Sequence, residues 1–124
     1  MSLLTLQAYW TLIHFDLYLE LSDFQALHEK VRNYPLRRTV AEPDAVEKVC
    51  AAVDIACIWY RKRARCLQRS AATACLLRRH AVPAQLVIGV QQLPLRAHAW
   101  VEVNGRVVND KPYMREMYAV LDRC

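Results

Sequence analysis

Loop-forming residues are scarce in this sequence, which contains only two glycines and five prolines among its 124 residues. So small a number argues against a loop-rich fold. Hydrophobic residues make up 55% of the chain and charged residues 23%, a balance that excludes a disordered protein. We therefore expect a single domain, large enough to bury a core without disulfide or metal staples.

Signals for disulfides, export and membrane insertion are also missing. The cysteine count is odd, and the positions follow no recurrent spacing: Cys50, Cys57, Cys66, Cys75 and Cys124. Such usage is typical of a reducing compartment. The first residues lack the basic flank and the small-residue cleavage site of an export signal. The uncharged run over residues 1–15 is shorter than the ~20 residues that a spanning helix needs. We expect a cytoplasmic protein without a transmembrane segment.

Acidic residues are absent from residues 55–101, although eight basic residues lie there: Arg61, Lys62, Arg63, Arg65, Arg69, Arg78, Arg79 and Arg96. The net charge of +5 is therefore concentrated around Cys66, and the rest of the chain is net negative. A basic field of this kind fits a solvated face or one that attracts an acidic peptide. Nucleic-acid binding is less favoured, because only Trp59 and Tyr60 offer aromatic platforms beside the cluster.

Apolar residues recur at helical spacing through residues 3–32, at Leu6, Trp10, Ile13, Leu17, Leu21, Phe24, Leu27 and Val31. Steps of three and four residues place them on one helix face. Ser22 and Asp23 are capping residues within this span, so the pattern predicts two helices. The favoured interpretation is a pair of helices facing the core, and the alternative is a docking surface for a partner or a membrane.

A third helix is predicted from residue 44 to about residue 60, with Val46, Val49, Val53 and either Ile55 or Ala56 directed inward. Nothing in the composition ends a helix before His80, yet a helix of that length would be far longer than usual. We therefore expect a break within residues 59–65. No Ser, Thr, Asp or Asn in that stretch caps a following helix, so composition alone does not start one at Cys66.

The pattern changes to strands after Pro83. Residues 84–90 and 96–103 read as strands, and Asn104-Gly105 is a strong signal for a hairpin that returns over residues 106–109. Residues 114–120 predict no more than a short helix or turn. Helices followed by a small antiparallel sheet form an α+β layout.

A thiol, an imidazole and a carboxylate follow one another along this layout. Cys66 is a candidate nucleophile because Arg63, Arg65 and Arg69 surround it with positive charge that favours a thiolate. His98 can accept the thiol proton and later return it to a leaving amine, and Asp110 can orient the imidazole. The structural alternatives are a buried cysteine and a histidine that bonds the backbone of its sheet.

The hairpin register decides whether Asp110 can reach His98. With a two-residue loop, Asp110 pairs with Ala99 and faces away from His98, whereas a three-residue loop with Gly105 in a bulge pairs it with His98. We therefore predict the bulged register. Glu102 shares the face of His98 but lies roughly 13 Å along the strand, so it is a poor substitute.

Other site types are not supported by the sequence. Cys75 and His80 could ligate a metal, but no second pair at zinc spacing accompanies them. The sequence has no phosphate-binding glycine loop and no G-x-S-x-G motif. We expect neither a metal nor another cofactor.

The chain resembles a known family over residues 66–90 (CLQRSAATACLLRRHAVPAQLVIGV) and 97–110 (AHAWVEVNGRVVND). These residues resemble the leader peptidases of lasso-peptide biosynthesis, in their stand-alone form, which are transglutaminase-like superfamily B proteins. The resemblance implies a papain- or transglutaminase-like fold with N-terminal helices packed on the sheet. It implies Cys66 as nucleophile, His98 as general base and acid, and Asp110 as its orienter.

The resemblance also implies a task and partners. The enzyme would cut the leader from a ribosomally made precursor peptide, so that an asparagine-synthetase-like cyclase can close the ring. A separate winged-helix protein would hold the leader. Residues 1–42 would form a helical segment of the same domain, and residues 43–124 the peptidase core. The resemblance leads us to expect a glycine where Ala81 stands, so the chain departs from the family pattern at the turn before Val82.

The oxyanion donor is left open between the Cys66 backbone N–H and the side chains of Trp59 and Gln68. Two other functions are also left open. One is transfer of the acyl group to an amine, as in a transglutaminase, and the other is a non-catalytic module that binds a peptide or nucleic acid.

Overall fold

The computed structural model describes residues 2–60, 66–92 and 94–124. Four helices come first, and a four-stranded antiparallel sheet of order β3-β2-β1-β4 follows. The elements are α1 (Leu3–Leu21), α2 (Phe24–Arg32), α3 (Ala45–Trp59), α4 (Cys66–Arg79), β1 (Ala84–Gln92), β2 (Leu95–Val103), β3 (Arg106–Val107), α5 (Met114–Met117) and β4 (Ala119–Arg123). The predicted α+β layout is confirmed. Strand β4 was not predicted, and its pairing with β1 completes the sheet.

The predicted division of the N-terminal helices is confirmed, and its cause is a side-chain cap. Asp23 lies between α1 and α2, and its Oδ1 accepts the N–H of Ala26 at 2.9 Å. This bond satisfies one of the unpaired donors at the start of α2. The expected break after α3 falls between Trp59 and Cys66, and residues 61–65 lie outside the described part of the chain.

The predicted core face of α1 is wrong. The residues that α1 buries are Thr5, Ala8, Leu12 and Phe15, whereas Leu6, Trp10, Leu17 and Leu21 are 42%, 67%, 48% and 79% exposed. The helix is apolar on two opposite faces, so periodicity alone could not choose between them. Packing selects the face that carries the smaller side chains, opposite the alanine-rich α4. In α2 the predicted Leu27 and Val31 are buried, and Phe24 is 46% exposed.

The inward positions of α3 follow the prediction, and the structure decides between Ile55 and Ala56. Val49, Val53 and Ala56 are buried, whereas Ile55 is 44% exposed. The main core lies between these helices and one face of the sheet, to which Ala99 contributes. A smaller cluster of Val87, Trp100 and Met114 covers the opposite face. None of the helices in the described residues is long and apolar enough to cross a bilayer.

One cation of the predicted basic field belongs to the interior. Arg78 is only 8% exposed, and its Nε donates to the carbonyl of Ala84 at 2.9 Å. Its two terminal nitrogens donate to the carbonyls of Val31 and Cys124. Arg78 therefore joins the end of α2 to the sheet and is not part of a solvated basic surface.

The turn after α4 has the geometry for which a glycine was expected. Ala81 adopts φ 65°, in the left-handed region that favours glycine. The N–H of Val82 donates to the carbonyl of Leu77 at 2.9 Å, and that of Ala81 to Arg78 at 3.1 Å. These two bonds form a Schellman motif, which ends the helix with a non-glycine residue in a strained conformation.

The hairpin between β2 and β3 contradicts the predicted register. Val103 pairs with Arg106, so the loop consists of only Asn104 and Gly105. Both loop residues have positive φ, at 51° and 77°. Because asparagine tolerates this conformation, a two-residue turn matched to the strand twist forms here instead of a bulged three-residue loop.

Candidate active site

His98 and Asp110 form a direct side-chain pair. Nε2 of His98 lies 2.6 Å from Oδ2 of Asp110, and both side chains are 26% exposed. The second carboxylate oxygen of Asp110 accepts the N–H of Lys111 at 2.8 Å. Burial raises the pKa of Asp110, but the hydrogen bonds from His98 and Lys111 outweigh it, and the pKa lies below its ordinary value. The carboxylate is therefore held in its charged form beside the imidazole.

Asp110 reaches His98 because the ladder between β2 and its partner strand ends early. The N–H of Val108 donates to Val101 at 3.0 Å, as a regular ladder requires. The N–H of Val101, however, donates to the side-chain Oδ1 of Asn109 at 2.8 Å and not to a backbone carbonyl. The chain bends over residues 108–110. Strand alternation therefore no longer governs where Asp110 points, and the two-residue loop does not separate it from His98.

Asn109 also connects this bend to α4. Its Nδ2 donates to Oγ of Ser70 at 3.0 Å, and the Ser70 hydroxyl donates to the carbonyl of Ala99 at 3.0 Å. Ser70 is 1% exposed. Ala99 and Asn109 are the chain neighbours of His98 and Asp110. The first turns of α4 are therefore bonded to both segments that carry the pair.

Cys66 is the first residue of α4 and is exposed. It precedes Ser70 by four residues, so the two side chains lie on the same helix face about 5–6 Å apart. That face is the one bonded to Ala99 of β2. The structure thus places Cys66 on the side of α4 that meets the strand of His98. Contact between its sulfur and the imidazole stays a prediction.

The other four cysteines have the surroundings of structural residues. Burial raises the pKa of the Cys50 thiol to about 11 and that of Cys75 to about 12. Burial also raises the pKa of Cys57 and of Cys124. These thiols remain protonated at neutral pH and are poor nucleophiles.

Two aromatic rings flank the imidazole of His98. The ring of Tyr118 is stacked on it at 5.4 Å between centroids, and the ring of Trp100 lies at 6.2 Å. These contacts restrict the plane of the imidazole. Tyr118 was missed by sequence reasoning because it immediately precedes β4, a strand that the sequence did not predict.

Glu102 has a structural role beneath this stack. It is 1% exposed, accepts the indole N–H of Trp100 at 2.9 Å and accepts from Arg123 at 2.6 Å. Burial raises its pKa, but these hydrogen bonds bring the pKa below its ordinary value. Glu102 therefore holds Trp100 in place, in agreement with the prediction that it is a poor substitute for Asp110.

Comparison with known proteins identifies the family of this chain. The profile of the transglutaminase-like superfamily matches residues 9–123. The chain belongs to the transglutaminase-like superfamily. It is also 45% identical to the Microcin J25-processing protein McjB of Escherichia coli over 56 residues, which cover 45% of this chain and 27% of that protein. The matched region is thus only about a quarter of that relative's length. No solved structure matches the chain significantly.

The structure places the two side chains predicted as oxyanion donors, Gln68 and Trp59, in different surroundings. Gln68 is 1% exposed, and its Nε2 donates to the carbonyl of Leu12 in α1 at 2.8 Å. Two residues after Cys66, it lies on the opposite side of α4, so the geometry does not favour an oxyanion role. Trp59 ends α3 and is 64% exposed. Its role, like that of the Cys66 backbone N–H, stays a prediction.

Of the three arginines in the predicted basic face near the thiol, only Arg69 lies within the described residues. Arg69 forms an ion pair with Asp54 at 2.7 Å and donates to the carbonyl of Asn109 at 3.4 Å. It therefore supports the bend as well as contributing positive charge. Arg63 and Arg65 lie outside the described residues. Within the described ranges, no group of three or more His, Cys, Asp or Glu side chains could hold a metal ion.

Proposed function

We propose that this chain is a cysteine peptidase that removes the leader from a ribosomally synthesised lasso precursor peptide. The observation that carries the proposal is the 2.6 Å contact between His98 and Asp110, on segments bonded to the helix that Cys66 begins. Membership of the superfamily and similarity to a microcin-processing protein support peptide processing as the task.

The orientation of the imidazole supports one assignment of its two nitrogens. Asp110 occupies the Nε2 side of His98 and, as a carboxylate, accepts a hydrogen bond from an Nε2–H group. The lone pair of the ring is then on Nδ1, which is the nitrogen left to accept the thiol proton of Cys66. The amide dipoles at the start of α4 favour negative charge on the sulfur.

The proposed reaction has two stages. The Cys66 sulfur attacks the scissile carbonyl while Nδ1 of His98 takes the thiol proton, and the carbonyl π electrons move to oxygen. Collapse of this tetrahedral intermediate expels the amine of the core peptide, which takes the proton from His98 and leaves a thioester. Water then attacks the thioester, gives a proton to His98, and releases the leader acid and the Cys66 thiol.

We further propose the setting of this reaction. The substrate is a precursor peptide whose leader is held by a separate winged-helix recognition protein in the cytoplasm, and an asparagine-synthetase-like cyclase takes the freed core. Residues 1–42 belong to the same domain as the core of residues 43–124, because α1 packs against α3 and α4 in one hydrophobic cluster.

The test is cleavage of the cognate precursor by the purified chain with its recognition protein, followed by mass spectrometry. Cys66→Ala should abolish cleavage, whereas the matched variant Cys57→Ala, at a half-buried cysteine of α3, should keep it. A mass increase by one water identifies hydrolysis, and a loss of ammonia with cross-linking would instead identify acyl transfer to an amine. Undiminished cleavage by Cys66→Ala would refute the mechanism. If the wild-type chain leaves the precursor intact, the chain would be a non-catalytic binding module.

A further inference from the structure

The exposed face of α1 carries an apolar stripe that the described fold leaves uncovered. Its members are separated by three, four or seven residues and lie on one side of the helix: Leu3, Leu6, Trp10, Leu17 and Leu21. The stripe runs for about 27 Å along the helix, and Leu3, Trp10 and Leu21 are each more than 60% exposed. A helix that is apolar on opposite faces is ordinarily covered on both of them.

A basic concavity opens beside this stripe. It has a volume of about 490 Å³ and is lined by residues of α1 and α2, the connector after α2 and the end of α4, among them Trp10, His14, Lys30 and Arg79. No acidic residue lines it. Among the described residues, neither Lys30 nor Arg79 has an ion pair. Burial lowers the pKa of His14 and Lys30 lowers it further, as expected in a positive environment.

The distribution of charge decides what kind of partner fits. Helix α1 carries no lysine or arginine, and its charged residues are Asp16 and Glu20. Helices that lie on anionic membranes carry basic residues along their own polar face, which α1 lacks. The cations Lys30 and Arg79 come from neighbouring helices and line a concavity, which suits protruding side chains better than a flat lipid surface.

We propose that this surface, the α1 stripe together with its basic concavity, binds an amphipathic segment of a partner polypeptide. Apolar side chains of that segment cover the stripe with Trp10 at its centre, and carboxylates of the segment meet Lys30 and Arg79. This is the helix-in-groove mode of recognition, with charge complementarity that selects an acidic segment. The proposal uses no residue of the candidate active site.

The test begins with a random twelve-residue peptide library displayed on phage and selected against the full chain. Enriched sequences should combine apolar residues at helical spacing with Asp or Glu. The synthetic consensus peptide should bind Trp10→Ser at least about tenfold more weakly, since a central tryptophan typically dominates such contacts. Lys30→Gln and Arg79→Gln should weaken binding and reduce its dependence on salt. Leu95→Ser, at an 80% exposed leucine of β2, is the matched control and should not change the affinity.

Other outcomes would overturn the proposal. Enrichment of sequences without acidic residues, or affinity unchanged in Trp10→Ser, would remove this surface as the binding site. Binding to anionic vesicles that depends on Trp10, without peptide binding, would assign the stripe to a membrane. A dimer in sedimentation velocity that Trp10→Ser dissociates would assign it to a second copy of the chain. Circular dichroism of each variant establishes that it is folded, and precursor cleavage is not needed for any of these measurements.

Discussion

Replacement of Asn109 by alanine tests the link between the hairpin and the candidate active site. The side chain accepts the N–H of Val101 at 2.8 Å and donates to Ser70 at 3.0 Å, and Val101 is fully buried. Loss of the acceptor leaves a buried donor unsatisfied, which costs about 1–3 kcal/mol, and the second bond contributes about 0.5–1.5 kcal/mol. The free energy of unfolding of Asn109→Ala should therefore fall by about 1.5–4.5 kcal/mol.

Urea unfolding followed by circular dichroism measures this change, and hydrogen exchange shows where it arises. The amide of Val101 should exchange faster in Asn109→Ala than in the wild type. Asn109→Asp keeps the acceptor for Val101 but loses the donor to Ser70, so its stability should lie between the two. Asn33→Ala, at an exposed asparagine after α2, is the control and should change stability by less than about 0.5 kcal/mol.

The same variant should affect the site. Because Asn109 precedes Asp110 and ends the ladder, its loss should move the carboxylate from His98 and lower kcat for precursor cleavage more than it changes KM. A free energy of unfolding within about 0.5 kcal/mol of the wild type, with unchanged exchange at Val101, would refute the role given to Asn109.

Three further predictions concern other elements. Ala81→Gly should relieve the left-handed strain at φ 65° and raise stability by about 0.5–1 kcal/mol, an increase in Tm of about 2–4 °C in a thermal melt. A lower Tm would contradict the strain. Iodoacetamide at about pH 8 should label Cys66 first, because the other thiols are less exposed and have raised pKa values. Peptide mass mapping that finds another cysteine labelled first would contradict this prediction. Because the pKa of Asp110 is lowered on folding, its charge stabilises the fold above the unfolded pKa, and that contribution is lost as the pH falls through the folded pKa. The stability difference between the wild type and Asp110→Asn in urea should therefore shrink below about pH 4, and a difference independent of pH would refute the linkage.

Local signals predicted the helices and the early strands well. Asp23 was a reliable boundary because its cap is a contact within one turn. Asn104-Gly105 marked the hairpin because both residues tolerate positive φ. The contact between His98 and Asp110, twelve residues apart, was expected, but the bulged hairpin register that was predicted to bring it about was wrong.

Features that depend on distant contacts were not predictable. The apolar stripes of α1 have the same period, and only packing against α3 and α4 decides which one is buried. The ladder ends where the Asn109 side chain replaces a backbone carbonyl, a choice that alternation cannot show. Strand β4, which brings Tyr118 to His98, is recognisable only by its pairing with β1.

The three tryptophans lie in environments that an optical experiment can separate. Trp100 is fully buried and its ring lies 6.2 Å from the imidazole of His98, whereas Trp10 and Trp59 are 67% and 64% exposed. A buried indole emits at shorter wavelength than a solvated one, and a nearby imidazolium quenches it. Fluorescence at the short-wavelength edge of the emission spectrum therefore comes from Trp100 and reports protonation of the candidate base. Fluorescence at the long-wavelength edge comes from Trp10 and Trp59, so in Trp59→Phe it reports occupancy at Trp10. One unlabelled sample of Trp59→Phe can thus follow both the candidate active site and the α1 stripe in the same titration.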